Sequence, residues 1–315
     1  MWRRRGTAGL RQSYQDALRR GDAAAAESLA WQIVTADPTD GALWFDLALA
    51  AKRRRDWPAA VELNGRALDL CTTTAEEPAA WNLGIAATAL GDWARARQAW
   101  AAFGVPMPPG DGPIHARLGM VPVRLNPTGT ELDEDPLTID GVAYHPEVVW
   151  AERLSPAHAR VDNVPSADSG HRWGDVVLTD GVPHGERHDG RQWVPVFDEL
   201  ALLERSPHRT WAADVVAPDP LDAQALTRVA EAAGLAAQDW TATVRQLCAA
   251  CSAGRPGADG HDHHDHGHGD DDAWAPQRRF GLAGGADAVV DVLTTWAAGG
   301  VGRSFRPPAE PVADV

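Results

Sequence analysis

A repeat runs through the first 110 residues and leaves few folds open to them. Thr7 opens one frame, and Gly41, 34 residues on, opens the next. The first frame holds Gly21-Asp22, then an alanine-rich stretch, and closes at Pro38. The second gives Trp44, Leu47 and Ala48, then Trp57, Ala60 and Ala67. The third begins at Glu77, displaced by two residues at Ala75-Glu76, and gives Leu83, Gly84, Gly91, Trp93, Ala96, Trp100 and Pro108. An alanine or glycine at a helix crossing lets two backbones approach, and a tryptophan closes the gap to the next helix. A helix–turn–helix unit cannot bury its apolar face alone, so three such units are expected to stack around a continuous core.

These positions resemble the tetratricopeptide repeat. Ala48 and Gly84 fall where that family takes a small residue in its first helix, and Ala26, Ala60 and Ala96 where it takes alanine in its second. The first frame departs by lacking the first-helix tryptophan. The resemblance covers about a third of the chain. It implies an α-helical solenoid over residues 1–110 whose groove receives a protein or peptide through the first helices, around Arg11–Arg19, Leu43–Lys52 and Ala79–Leu90. Six of the 14 tryptophans (Trp31, Trp44, Trp57, Trp81, Trp93, Trp100) lie in the three frames and are assigned to core packing. Arg53, Arg54 and Arg55 fall at a helix–helix turn and are read as a solvated face. Cys71 is read as buried packing.

Charge then narrows the partners. The chain has 29 Lys+Arg against 44 Asp+Glu, a net −15, and residues 1–66 run against that balance with eleven basic and eight acidic residues. So acidic a chain lacks the basic footprint of a nucleic-acid binder. No apolar run reaches the roughly 18–20 residues of a membrane span. Three cysteines make no disulfide framework, and the Met-Trp-Arg-Arg-Arg start is not followed by a signal-peptide core. A cytoplasmic protein is expected, with no membrane and no nucleic acid among its partners.

Pro106-Met107-Pro108-Pro109-Gly110-Asp111-Gly112-Pro113 breaks the chain, and the apolar period changes from 3.6 to 2 beyond it. Ile114–Leu125 alternates. Pro146–Ala151, Ala159–Val164, Gly174–Leu178 and Val194–Phe197 read as strands, so 111–209 is expected to form a small β-barrel-like domain. From 210 to 300 the order mixes. Trp211–Val216 and Arg278–Ala283 read as strands, while Leu221–Ala233, a segment from Asp239 to about Cys251, and Ala286–Ala298 read as helices. That order suggests a ferredoxin-like α+β layer, making the whole chain α+β and multidomain, with 301–315 a disordered tail. Val148–Ala151, Val161–Pro165, Gly174–Val177 and the Ser206–Thr210 segment resemble a bacterial domain family of unknown function, which implies no activity.

Chemistry-bearing motifs are few. His171, His184 and His188 fall in loops beside Asp175, Asp180, Glu186 and Asp189, so a histidine–carboxylate pair is conceivable. No serine or cysteine stands in a nucleophile context, and Gly281-Leu282-Ala283-Gly284-Gly285 lacks the lysine and spacing of a phosphate loop. Residues 259–272 are different: five His, six Asp and three Gly in 14 positions can build no core. Cys248 and Cys251 lie upstream, and with His264 and His268 they make the spacing C-x2-C-x12-H-x3-H. His261, His263 and His266 can substitute for either imidazole, and Zn or Ni is the metal such ligands suit. A DNA-reading finger is excluded, because the segment is acidic. Three readings follow: an interaction scaffold that is not an enzyme, a metal-handling protein, and an enzyme acting through His171 or His188.

Overall fold

The computed structural model describes residues 2–72, 77–127, 137–139, 142–144, 146–241 and 274–309. Two compact units divide the chain, Met1–Arg117 with Leu154–Ala157, and Leu118–Arg153 with His158–Val315.

The first unit is built from three helical hairpins: α1 (Trp2–Arg19) with α2 (Ala23–Ala36), α3 (Gly41–Arg53) with α4 (Trp57–Asp69), and α5 (Pro78–Ala89) with α6 (Trp93–Phe103). All three turn alike. A residue with positive φ (Gly21 at 71°, Arg55 at 57°, Gly91 at 67°) reverses the chain, and the aspartate after it caps the second helix. Asp22 accepts from the Ala25 amide, Asp56 from Ala59 and Asp92 from Arg95, each supplying a partner to an otherwise orphaned helix-terminal N–H. Behind the turns the small residues pack as the repeat requires, with Ala26, Ala48, Ala60 and Ala96 all buried. At Gly84 a Cβ would stand 2.5 Å from the ring of Trp100, which is completely buried. Two expectations fail here. Trp31 is 43% exposed, its ring set in a T-shaped contact with that of Trp44 at 5.9 Å. Cys71 is half-buried instead of buried, since it lies beyond the end of α4 and its thiol donates to the Ala67 carbonyl.

The Pro-rich segment after α6 stays with this unit. Ile114 is completely buried, and Arg97 donates to the Pro108 carbonyl at 2.8 Å. The strand expected from Ile114 therefore begins only at Met120.

The second unit holds two larger sheets. β1 (Met120–Leu125), β4 (Glu147–Ser155), β5 (His158–Val161), β6 (Val176–His188) and β7 (Trp193–Glu204) form a five-stranded sheet that closes on itself through parallel pairing of β1 with β7. Val121, Val123, Leu125, Val149, Ala151, Val161, Val177 and Phe197 fill its interior, the alternate positions of their strands. β2 (Leu137–Ile139) and β3 (Val142–Tyr144) make a separate antiparallel pair. The remaining elements run β8 (Arg209–Val216), α7 (Pro220–Ala232), β9 (Ala236–Asp239), β10 (Gln277–Gly284), α8 (Ala286–Ala298), β11 (Ser304–Phe305). Their sheet is antiparallel, in the order β11-β8-β10-β9, and Val215, Phe280, Leu282, Leu226, Leu293 and Trp296 form the core between it and the two helices.

Several expected boundaries move. The strand expected at Ala159–Val164 stops at Val161, and those expected at Gly174–Leu178 and Val194–Phe197 extend into the long β6–β7 pair, whose register shifts at bulges. Asp239 is the last residue of β9, and its carboxylate accepts from the Thr241 amide and from Arg278. Residues 242–251 lie outside the described residues. The tail is ordered at its start, where β11 pairs with β8 and the Ala309 amide bonds the Ala212 carbonyl. Gly281 and Gly284 belong to β10, and Cβ atoms there would meet Trp240 and Leu235, so close packing explains those glycines. No helix among the described residues is long and apolar enough to cross a membrane.

Candidate functional site

Two grooves lie among the described residues of the helical unit. The first is a cavity of about 380 Å³ among α1, α2 and α3, with Ala26, Ala30, Leu47 and Ala50 in its lining. Leu18, 49% exposed, and Arg53 also line it. Tyr14, on the same face of α1 as Leu18, donates its hydroxyl to Asp46 of α3 at 2.6 Å. Burial and the neighbouring Asp46 carboxylate both raise the phenol's pKa, so Tyr14 stays a neutral donor. Glu27, also in the lining, is paired with Arg54. The second groove, about 550 Å³, lies along the second helices α4 and α6; Val61, Gly65, Leu83 and Ala99 line it, with Glu62 and Arg66 paired at 2.6 Å.

The second unit concentrates its buried charge at two neighbouring places on β7. Asp198 accepts two hydrogen bonds from Arg124 of β1, at 2.7 and 2.9 Å, and a third contact from His184 Nδ1 at 2.5 Å. Glu199 accepts the Asn126 amide at 3.0 Å and meets His171 Nε2 at 3.1 Å. The other ring nitrogen of His171 stands 3.3 Å from Asp175, out of line for a hydrogen bond. Asp175 is completely buried and is further held by Arg205 at 3.0 Å and by the Ser206 amide at 2.7 Å. Burial works against a charged imidazole at position 171. The two carboxylates outweigh it and push the pKa up to about 9.

The expected histidine–carboxylate pairs are thus present in part. His171 meets Asp175, which stands beside it in the sequence, and Glu199, which does not. His184 pairs with Asp198 instead of Asp180 or Glu186, and His188 is exposed with its ring against Trp193. His171 is 7% exposed with both nitrogens turned to carboxylates, an arrangement that builds structure and leaves no free base. Asp198, Glu199, Arg124, Tyr14 and Asp46 escaped the sequence reading, because each finds its partner on another strand or helix. Alternation gave no signal at Arg124, which lies on the face of β1 opposite Val121, Val123 and Leu125. Cys248, Cys251, His261, His263, His264, His266 and His268 all lie outside the described residues. Among the described residues no group of three or more His, Cys, Asp and Glu is placed to hold a metal.

No protein-family model matches the chain, and no curated protein matches it. Among solved structures it is similar to a mutant of the Thermobaculum terrenum O-GlcNAc transferase, at 21% identity and a TM-score of 0.28, over 33% of this chain and 19% of that one. It is also similar to the TPR2B-domain:pHsp70 complex of yeast Sti1, at 17% identity and a TM-score of 0.25, over 31% of this chain and 76% of that one. The chain thus spans about a fifth of the transferase structure's length. At scores this low the likenesses decide nothing about function.

Proposed function

We propose that the helical unit is a docking module for a protein or peptide, and that the face formed by its first helices does the docking. The observation that carries this reading is the cavity among α1, α2 and α3. It combines an apolar lining, an exposed leucine at position 18 and a fixed polar pair, Tyr14 with Asp46. Such sites are mostly apolar, with a few oriented polar groups for specificity. The tetratricopeptide-like spacing supports the same reading. Arg53 lines this cavity, whereas Arg54 is engaged by Glu27, so the three arginines of that turn are not equivalent.

The test is photo-crosslinking of partners to the full chain, followed by affinity measurement with whichever partner is captured. Leu18→Asp and Arg53→Glu are expected to weaken binding by about tenfold or more, the loss of one good anchor. Arg66→Glu, on the second-helix groove, is expected to change it less than about twofold. The opposite ranking would place docking on α4 and α6 and overturn the reading.

A second function is proposed on the strength of one sequence observation, the C-x2-C-x12-H-x3-H spacing of Cys248, Cys251, His264 and His268. Thiolates and imidazoles so spaced suit zinc, and binding must weaken as pH falls through roughly 6.5, where imidazoles protonate. Titrating the full chain with zinc, beside Cys248→Ser/Cys251→Ser and a deletion of 259–272, separates the possibilities. Cysteine ligation requires the double-serine variant to bind far more weakly; equal binding leaves only a weak His/Asp segment.

A further inference from the structure

We propose that protonated His171 is a latch: bridging Asp175 and Glu199, it fastens the segment 162–175 that ties the closed sheet to the four-stranded sheet of the second unit, and loss of its proton loosens that segment. The segment joins β5 to β6. Backbone hydrogen bonds hold its two ends, Asp162 and Asn163 to the Trp150 carbonyl and Gly174 and Asp175 to Val161, and between them it carries a single 3₁₀ turn, Ala167–Ser169.

Between those ends, side chains make its attachments. At its first half, Glu147 of β4 accepts from both the amide and the hydroxyl of Ser166, and Asn126 after β1 donates to the Ser169 carbonyl. Just before these, Asn163 and the Val164 amide both donate to Gln238 of β9, and the Trp240 indole donates to the Val164 carbonyl at 3.0 Å. These three bonds join the two sheets. At its second half, Asp175 is held by Arg205, by the Ser206 amide and by the Arg172 amide, and Arg172 also donates to the Ser206 carbonyl.

The charges facing His171 explain why its proton matters. Asp175 has Arg205 and backbone donors to share its charge. Glu199 has the Asn126 amide and His171. The adjacent Asp198 is occupied with Arg124 and His184, and Glu147 with Ser166. A neutral imidazole carries no charge, so both ion pairs are lost and neither carboxylate is neutralised. Buried carboxylates without a compensating charge are unfavourable, and giving up the contact is the available relief.

The experiment follows two signals in the full chain. The ring nitrogens of His171 are titrated by NMR, and amide exchange over 163–173, corrected for its intrinsic dependence on pH, is compared with exchange in α8. The ring is expected to titrate near 9, well above the ordinary imidazole, with exchange in the segment rising about tenfold over the same range while α8 stays protected. Glu199→Gln is expected to move both midpoints down together by about one pH unit or more. His171→Gln is expected to leave the segment loose and indifferent to pH; should that variant fail to fold, the Glu199→Gln comparison decides. A ring titrating near 6.5, exchange that keeps step with α8, or a midpoint unmoved in Glu199→Gln would each overturn the latch.

Discussion

Arg124 and Asp198 stand 74 positions apart and meet through two hydrogen bonds with little solvent access, so removing either partner strands a buried charge. Asp198→Ala is expected to lower stability by about 3–5 kcal/mol in chemical denaturation. Arg54→Ala breaks the exposed pair with Glu27 and is expected to cost less than about 1 kcal/mol; comparable losses would mean that burial is not what distinguishes the two pairs. Steric contact sets the outcome at Gly84. A side chain there meets the buried Trp100 ring, so Gly84→Val is expected to cost about 1–3 kcal/mol, read as a lower thermal midpoint. His171 adds a pH term of definite sign. Its folded pKa, about 9, lies above the ordinary value, so its contribution is complete below roughly 6.5 and disappears as pH rises through 9. Stability measured between pH 7 and 10 should fall in the parent and fall less in His171→Gln.

The hairpin turns of the helical unit share one construction, and its weak member can be named. Gly21 and Gly91 adopt positive φ freely, whereas Arg55 holds the same conformation against its own Cβ. Arg55→Gly is therefore expected to stabilise the protein by about 0.5–1 kcal/mol in denaturant titration, and a loss of stability would show that the arginine side chain makes an important contact. The aspartates that follow act as caps, so Asp56→Ala and Asp92→Ala should each cost about 1 kcal/mol. The unequal spacing of the turns, 34 residues from Gly21 to Arg55 and 36 from Arg55 to Gly91, matches the two-residue displacement of the third frame. These elements were legible in the sequence because their determinants are local: small residues at fixed offsets, a turn, a cap. β9 was not. Ala236–Asp239 is too short for alternation to show, and only its register against β10 makes it a strand.

For the whole molecule, the breaker cluster at 106–113 marks a change of period without marking the end of the first unit. That unit runs to Arg117, and Ile114 is completely buried within it. A fragment of residues 1–117 is expected to be helical by circular dichroism and to melt cooperatively, with 1–110 melting lower because it lacks Ile114. Identical melting of the two fragments would show that Ile114 contributes nothing to the helical core. A coil spectrum for both would show that the hairpins depend on the rest of the chain, including Leu154–Ala157, which belongs to the same unit.

What the amino-acid order alone determined was whatever depends on neighbours within one or two turns. The repeat with its small crossing residues and the bounds of α8 at Ala286–Ala298 are of this kind, since helix periodicity is a property of a short window. The bridge of His171 to Glu199, the closure of β7 onto β1 and the Tyr14–Asp46 pair were decided only in three dimensions. Each joins residues from separate elements, and the partner is chosen by strand register and helix packing. Charge and burial then act on whichever groups that packing has brought together.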